Sequence, residues 1–357
     1  MTTPDDIAFL ERLLDAPGPS GFEVRPARVW RQEAETFADE VRVDIHGNSM
    51  ATVNPGGSPR VMLAGHVDEI GLQVTHIDEN GFLYFAEIGG WDPQVLVGQR
   101  VRILGEEGDV PGVVGKKAIH LMTPDDRNKA SRIKDLWVDV GAGSADEVRE
   151  LGLRVGDPMV LDQRLLRLAG DRIASRAIDD RIGAFVVLEA ARMVAEDPGS
   201  AAVTAVATTQ EEIGYSGGGA RSSAYALEPD VAIAVDVTFS TDVPDVEKKE
   251  LGEHELGGGP VLSRGSAAHD RVFRMLANVA EEEGIPFTVQ ASPKATRTDA
   301  DGIFLTRSGV PTGLVSVPNR YMHSPNEVVS VSDLWNTIRL IAAFIRRLGP
   351  DVDFTPR

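Results

Sequence analysis

Past residue 180 the chain alternates between segments of helical period and short, unbroken apolar runs. "RIGAFVVLEAARMVAE" (181–196), "HDRVFRMLANVAEEEG" (269–284) and "SVSDLWNTIRLIAAFIRRL" (330–348) read as helices, while "AAVTAVATT" (201–209), "DVAIAVDVT" (230–238) and "GVPTGLVSV" (309–317) read as strands. Apolar runs with no polar alternation belong to strands covered on both faces. The pattern predicts a three-layer α/β/α sandwich around a largely parallel sheet. In such sheets ligands gather at the carboxyl ends of the strands, which names the place for chemistry before any motif is read.

The first half reads differently. Residues 3–15 predict an amphipathic helix with Ile7, Leu10, Leu13 and Leu14 on its apolar face, opened by Pro4, Asp5 and Asp6, and residues 24–38 predict a second helix. "VRVDIHGNSMATV" (41–53) predicts a strand pair turning at His46-Gly47-Asn48, and "RVMLAGHVDEIGLQVTHID" (60–78) begins as a buried strand. From about 71 to 166 helical period is almost absent, and short β-rich runs are separated by turns such as "DENG" (78–81) and "EEGD" (106–109). That stretch predicts a small all-β barrel or sandwich inserted into the α/β domain. The expected division is 1–70 for the first part of the α/β domain, 71–165 for the insert and 166–357 for the rest of the α/β domain.

Composition narrows the function classes. A formal net charge of -19 argues against a nucleic-acid backbone or an anionic membrane surface as partner. With no cysteine in 357 residues, disulfides, a thiolate nucleophile and cysteine-based zinc sites are excluded, so a metal site must use histidine and carboxylate. The N-terminal stretch lacks a basic region followed by an apolar core, and no run of 18 apolar residues occurs. A cytoplasmic location is the expectation.

The predicted strand ends carry the charges. His66 and Asp68 follow "VMLAG", Glu211 and Glu212 follow "AVATTQ", Asp236 lies within "VAIAVDVT" and His323 follows "GLVSVPNRYM". An acidic pair, Asp179-Asp180, sits where a loop enters the helix at 181. One such acid could cap a helix, but so many at one edge of one sheet would repel each other unless cations were present. Imidazole and carboxylate are a ligand set for zinc, cobalt or manganese. His66, Asp179, Glu212, Asp236 and His323 suit two ions sharing one carboxylate, and paired ions activate water between them. Asp68, two residues from His66 in an extended segment, points the same way and can orient its ring. Glu211 and Glu212, adjacent at a strand end, would face opposite ways and so play different parts.

These motifs, with "PGPSGFE" near the start, "GHVDEIGLQVTHIDENGFLYFAEIGGWDPQVLVGQRV" (65–101), "RAIDDRIG" (176–183), "TTQEEIGYSGG", "AIAVDVTFSTDVP" (232–244) and "RYMHSPNEVVSVSDL" (320–334), resemble the M42 metallopeptidases. That family comprises the glutamyl and deblocking aminopeptidases, including the tetrahedral TET enzymes. The resemblance implies a co-catalytic metallopeptidase domain of the phosphorylase/hydrolase type with a PDZ-like β-barrel insert that makes dimers, and dimers that assemble into a hollow dodecamer. It implies His66 and Asp236 on one ion, Glu212 and His323 on the other, Asp179 bridging, Glu211 as general base and Asp68 beside His66. It also implies a cis peptide after Asp179. Arg176 and Phe239 stand where many members have lysine and histidine, which leaves the substrate pocket open.

The expected activity is removal of N-terminal residues from short peptides by a metal-activated water, zinc first among the metals. Lys294 and Arg297 in "KATRTDADGI" (294–303) are candidates to face the substrate. Two alternatives are a dinuclear-metal deacylase acting on N-acylated amino acids and a catalytically silent assembly protein. A silent scaffold has no need of the base. Glycoside hydrolysis, another activity attached to such chains, needs two carboxylates flanking the bond rather than a metal cluster.

Overall fold

The computed structural model describes residues 7–197, 199–214 and 217–356. Pro4, Asp5 and Asp6, the expected opening of the first helix, lie outside these residues, as do Tyr215 and Ser216 of the glycine-rich turn. The helix itself runs Ala8–Asp15 and buries Leu10, Leu13 and Leu14; the second, Val24–Ala34, is shorter than its periodicity suggested.

In chain order the strands are β1 (Glu40–Val43), β2 (Ser49–Val53) and β3 (Arg60–His66). Next come β4 (Gly71–Ile77), β5 (Leu83–Ile88), β6 (Arg100–Gly105), β7 (Gly108–Gly115), β8 (Trp137–Asp139) and β9 (Pro158–Leu161), which close into a barrel in the order β4-β5-β8-β7-β6-β9. The barrel has its own core, built on Leu72, Val74, Val101, Ile103, Val138 and Met159. The remaining strands are β10 (Leu166–Arg167), β11 (Arg172–Ser175), β12 (Ala202–Thr208), β13 (Val231–Phe239), β14 (Val261–Arg264), β15 (Thr288–Ala291), β16 (Thr312–Asn319) and β17 (Glu327–Ser330).

The main sheet has the order β1-β2-β12-β3-β13-β16-β14-β15. Its centre, β12-β3-β13-β16, is parallel throughout, as the apolar runs require; β2 joins β12 and β14 joins β16 in the antiparallel sense. The strand pair expected at 41–53 is β1 and β2, with Glu40 opposite Thr52. β14, β15 and β17 are too short to stand out by pattern. β10, β11 and β17 form a second, three-stranded sheet.

Alternation along the central strands makes the three layers. Val61, Leu63, Ile233, Val235, Val315 and Val317 meet the helices Ile178–Ala195, Asp270–Glu282 and Val331–Arg346, together with the two N-terminal helices. Met62, Ala64, Ala232, Ala234 and Leu314 point the other way, onto Ala220 and Ala224 of the helix Gly218–Leu227 and Ala300 and Ile303 of the helix Asp299–Ile303. Each buried aliphatic side chain contributes about 1.5–3 kcal/mol, so both faces are committed and the strand ends are the free edge. No helix among the described residues is long and apolar enough to cross a membrane.

Candidate metal centre

The carboxyl ends of β3, β12 and β13, the start of the helix Ile178–Ala195 and the loop after β16 converge on one point. His66 is the last residue of β3 and Asp236 lies inside β13; both are buried. Asp179 follows Ala177, which has a left-handed φ of 57°, and the Asp179-Asp180 peptide is cis. His323, also left-handed with φ 59°, lies between β16 and β17. All seven candidate residues read from the sequence are at this place.

Asp179 is central. Its Oδ1 is 3.3 Å from His66 Nε2, and its Oδ2 is 3.3 Å from His323 Nε2. Two trios result, His66 with Asp179 and Asp236, and Asp179 with Glu212 and His323; in each, ligand atoms lie within 4.8 Å of one another. His323 Nε2 is also 3.3 Å from Glu212 Oε2, and its Nδ1 meets the Gly90 carbonyl at 2.9 Å, which fixes the ring. Both ring nitrogens of His66 and Oε1 of Glu212 are buried without a hydrogen-bond partner. Buried polar atoms are almost always satisfied, so orphaned imidazole and carboxylate atoms converging on one point fit a divalent cation.

The electrostatics agree. Burial pushes Glu211 up to about 10, with Asp236, Asp299 and Glu212 adding to it, and burial with Asp179 pushes Glu212 up to about 7. Burial and Asp179 likewise hold Asp236 well above the ordinary carboxylate range. Burial alone would lower His323, yet Asp179 and Glu212 beside it push it up to about 11. An acidic cluster of this kind is relieved by positive charge.

The glutamate pair departs from its expected geometry. β12 ends at Thr208, Gln210 takes a left-handed φ of 59°, and Glu211 and Glu212 sit in a turn rather than an extended segment. The turn is held by carboxylates. Asp68 accepts the backbone N–H of Glu211 on Oδ1 (3.2 Å) and that of Glu212 on Oδ2 (3.1 Å), while Glu23 accepts that of Gln210 on Oε1 (3.1 Å). Asp68 Oδ1 is also 3.4 Å from His66 Nδ1, so it faces the ring at more than ordinary hydrogen-bond length. Burial, with Asp68 adding, pushes Glu23 up to about 7.

Three further acids have roles that their sequence context did not assign. Asp180 is fully buried, accepts the His66 backbone N–H on Oδ2 (3.2 Å) and accepts that of Gly183 on Oδ1 (3.0 Å). Glu327 accepts the backbone N–H of both Asp179 and His323. Asp299 is buried, with Thr208 Oγ1 donating to its Oδ2. Only "DD" in "RAIDDRIG" and "E" in "HSPNE" offered any signal, and neither says which backbone groups they serve. Arg176 does not line the substrate cleft: it is buried against Glu69 and the Asp15 carbonyl. A cleft of about 940 Å³ opens beside Asp179, Glu211, Glu212, Asp236 and His323, and Phe239, Lys294 and Arg297 line it too.

The family model for M42 glutamyl aminopeptidase matches residues 47–340. The chain belongs to the M42 glutamyl aminopeptidase family. The resemblance carried by the motifs is therefore borne out, and this M42 enzyme is 38% identical over 354 residues to a lysyl aminopeptidase of Pyrococcus furiosus, covering 98% of this chain and 99% of the relative. A solved TET aminopeptidase from the marine sediment archaeon Thaumarchaeota archaeon SCGC AB-539-E09 superposes with a TM-score of 0.90 at 35% identity over 96% of each chain. A Pyrococcus horikoshii TET1 peptidase, described as assembling into a tetrahedron or a large octahedral shell, superposes with a TM-score of 0.84 at 30% identity, covering 96% of this chain and 99% of that one. The sandwich with its barrel is thus the fold of solved M42-type aminopeptidases.

Proposed function

We infer that this M42 enzyme removes N-terminal residues from short peptides at a centre holding two divalent ions. The observation that carries the reading is Asp179, whose two carboxylate oxygens face the two histidines at equal distance. In this reading His66 and Asp236 hold one ion, Glu212 and His323 the other, and Asp179 belongs to both. What bound ions supply there is a water acidic enough to attack at neutral pH and polarisation of the scissile carbonyl. Zinc suits the ligand set first, with cobalt and manganese compatible.

Glu211 is the proton carrier in this mechanism. It lines the cleft, and its Oε2 is 3.9 Å from His66 Nε2, at the edge of the cluster. It takes the proton from the attacking water and passes it to the peptide nitrogen as the C–N bond breaks, releasing one amino acid and a shortened peptide. Asp68 keeps the turn that carries Glu211 in place. Acids in the cleft receive the free amino terminus of the substrate.

Residues 71–165 serve in this reading as the inserted dimerisation domain, and the chain assembles into a closed homo-oligomeric shell in the cytoplasm. The P. horikoshii relative supports the assembly, and the separate barrel core supports an insert that folds as a unit.

The test is metal analysis with a panel of aminoacyl-p-nitroanilides and their N-acetylated forms. The expected result is two ions per chain, hydrolysis of free-amine substrates only, and loss of activity on chelation. Activity that survives complete metal removal overturns the reading; cleavage confined to the acetylated forms points to the deacylase instead.

A further inference from the structure

We propose that Glu327 is a positioning residue that builds the ion position formed by Asp179, Glu212 and His323, and that the position formed by His66, Asp179 and Asp236 stands largely without it. The inference rests on the two-ion reading above. Glu327 is buried and belongs to neither trio. Its Oε2 accepts the backbone N–H of Asp179 at 3.0 Å, and its Oε1 accepts that of His323 at 2.9 Å.

The two trios are held differently. His66 on β3 pairs with Thr208 of β12, and Asp236 on β13 pairs with Ser316 of β16, so strand pairing in the sheet centre places both. His323 has no such support. It sits with a left-handed backbone in a loop closed by reciprocal hydrogen bonds between Arg320 and Val328. Asp179 lies in the first turn of its helix, where backbone N–H groups have no partner within the helix. Glu327 serves both orphan donors at once and so sets the separation of two peptide units whose side chains meet at 3.3 Å.

The residue type fits that task. A buried acid beside other acids carries a cost, and a glutamine would avoid it. An amide, however, has one acceptor oxygen, and its NH2 would face the second backbone N–H. At Glu327 the two backbone donors are served by separate oxygens, Oε2 for Asp179 and Oε1 for His323. Asp333 uses the same device elsewhere, accepting the N–H of Gly257 and of Gly259 at 2.7 Å each, and it serves as an internal control.

The experiment titrates metal-free full-length protein with zinc chloride, by calorimetry and by counting zinc retained after desalting, for wild type, Glu327→Gln and Asp333→Asn. The expected result for Glu327→Gln is one affinity lower by about 10–100-fold and the other changed by less than about threefold. Two ions bound at wild-type affinity by Glu327→Gln overturn the proposal, as does the same selective loss in Asp333→Asn. A wild type that takes up fewer than two ions overturns the two-ion reading and the assignment with it. Should Glu327→Gln fail to fold, residue-resolved hydrogen exchange on the metal-free wild type decides: protected amides at Asp179 and His323 support the role, and exchange at the rate of free chain overturns it.

Discussion

Gly65 and Gly183 lie backbone against backbone: a Cβ on Gly65 would stand 2.4 Å from the carbonyl carbon of Gly183 and 2.6 Å from the nitrogen of Ala184. This approach brings the end of β3 against the start of the helix Ile178–Ala195, and so brings His66 to Asp179. A side chain at either position has nowhere to go; at Gly183 it would stand 2.1 Å from Asp180 Oδ2.

Gly65→Ala is therefore expected to separate strand from helix. The overpacking should cost about 2–3 kcal/mol or more. Thermal unfolding of metal-free protein measures that loss, and zinc uptake should fall in parallel because His66 moves from Asp179. An unchanged melting temperature would contradict the close contact.

The two adjacent glutamates should separate by phenotype. Glu211→Gln is expected to keep its ions and lose turnover by about 10²–10⁴-fold, as removal of a general base does. Glu212→Ala should lose an ion, since its carboxylate meets His323 at 3.3 Å. Metal counting beside steady-state kinetics checks both, and near-wild-type rates for Glu211→Gln would remove its role.

Ion binding should release protons. In the metal-free protein Glu212 is pushed up to about 7, chiefly by burial, while Asp179 and Glu212 push His323 up to about 11. Groups with such values hold protons near neutrality, and ligands must shed them to bind a cation. Affinity for zinc is thus expected to rise with pH between about 6 and 8. Calorimetry in Pipes and in Hepes, which bind zinc weakly and differ in ionisation enthalpy, reads the proton count, and net proton uptake on binding would refute the sign.

Glu23 predicts a pH dependence of stability outside the ligand set. Its folded-state pKa is raised from 4.5 to about 7, so the folded chain holds this proton more tightly than the unfolded one. The stabilisation is complete below about pH 4.5 and is lost as pH rises through about 7, amounting to on the order of 3 kcal/mol. Because a single oxygen, Oε1, accepts from both Gly21 and Gln210, Glu23→Gln can keep both bonds. The variant should match wild type in chemical denaturation at pH 5 and exceed it at pH 8; equal stability at both would count against the prediction.

What residues alone made legible was periodic or chemical. Unbroken apolar runs announced β3, β12, β13 and β16, since strands covered on both faces cannot afford polar positions. Histidine and carboxylate at the ends of such runs announced a cation site, since a cysteine-free chain has no other ligands to offer. Short flanking strands such as β14 and β15, at four residues each, carry too little pattern to read.

Tertiary structure alone decided how those ligands are held. Glu23, Asp68, Asp180 and Glu327 act by accepting backbone N–H groups, and all four reach across more than a hundred residues of chain. Every residue but proline offers the same N–H, so no side-chain pattern marks the partner. For the same reason the sequence predicted an extended Glu211-Glu212 pair where the fold makes a turn. Ligand identity is a property of side chains and is written locally; ligand position depends on which distant backbone groups the packed layers bring within 3 Å, and only folding settles that.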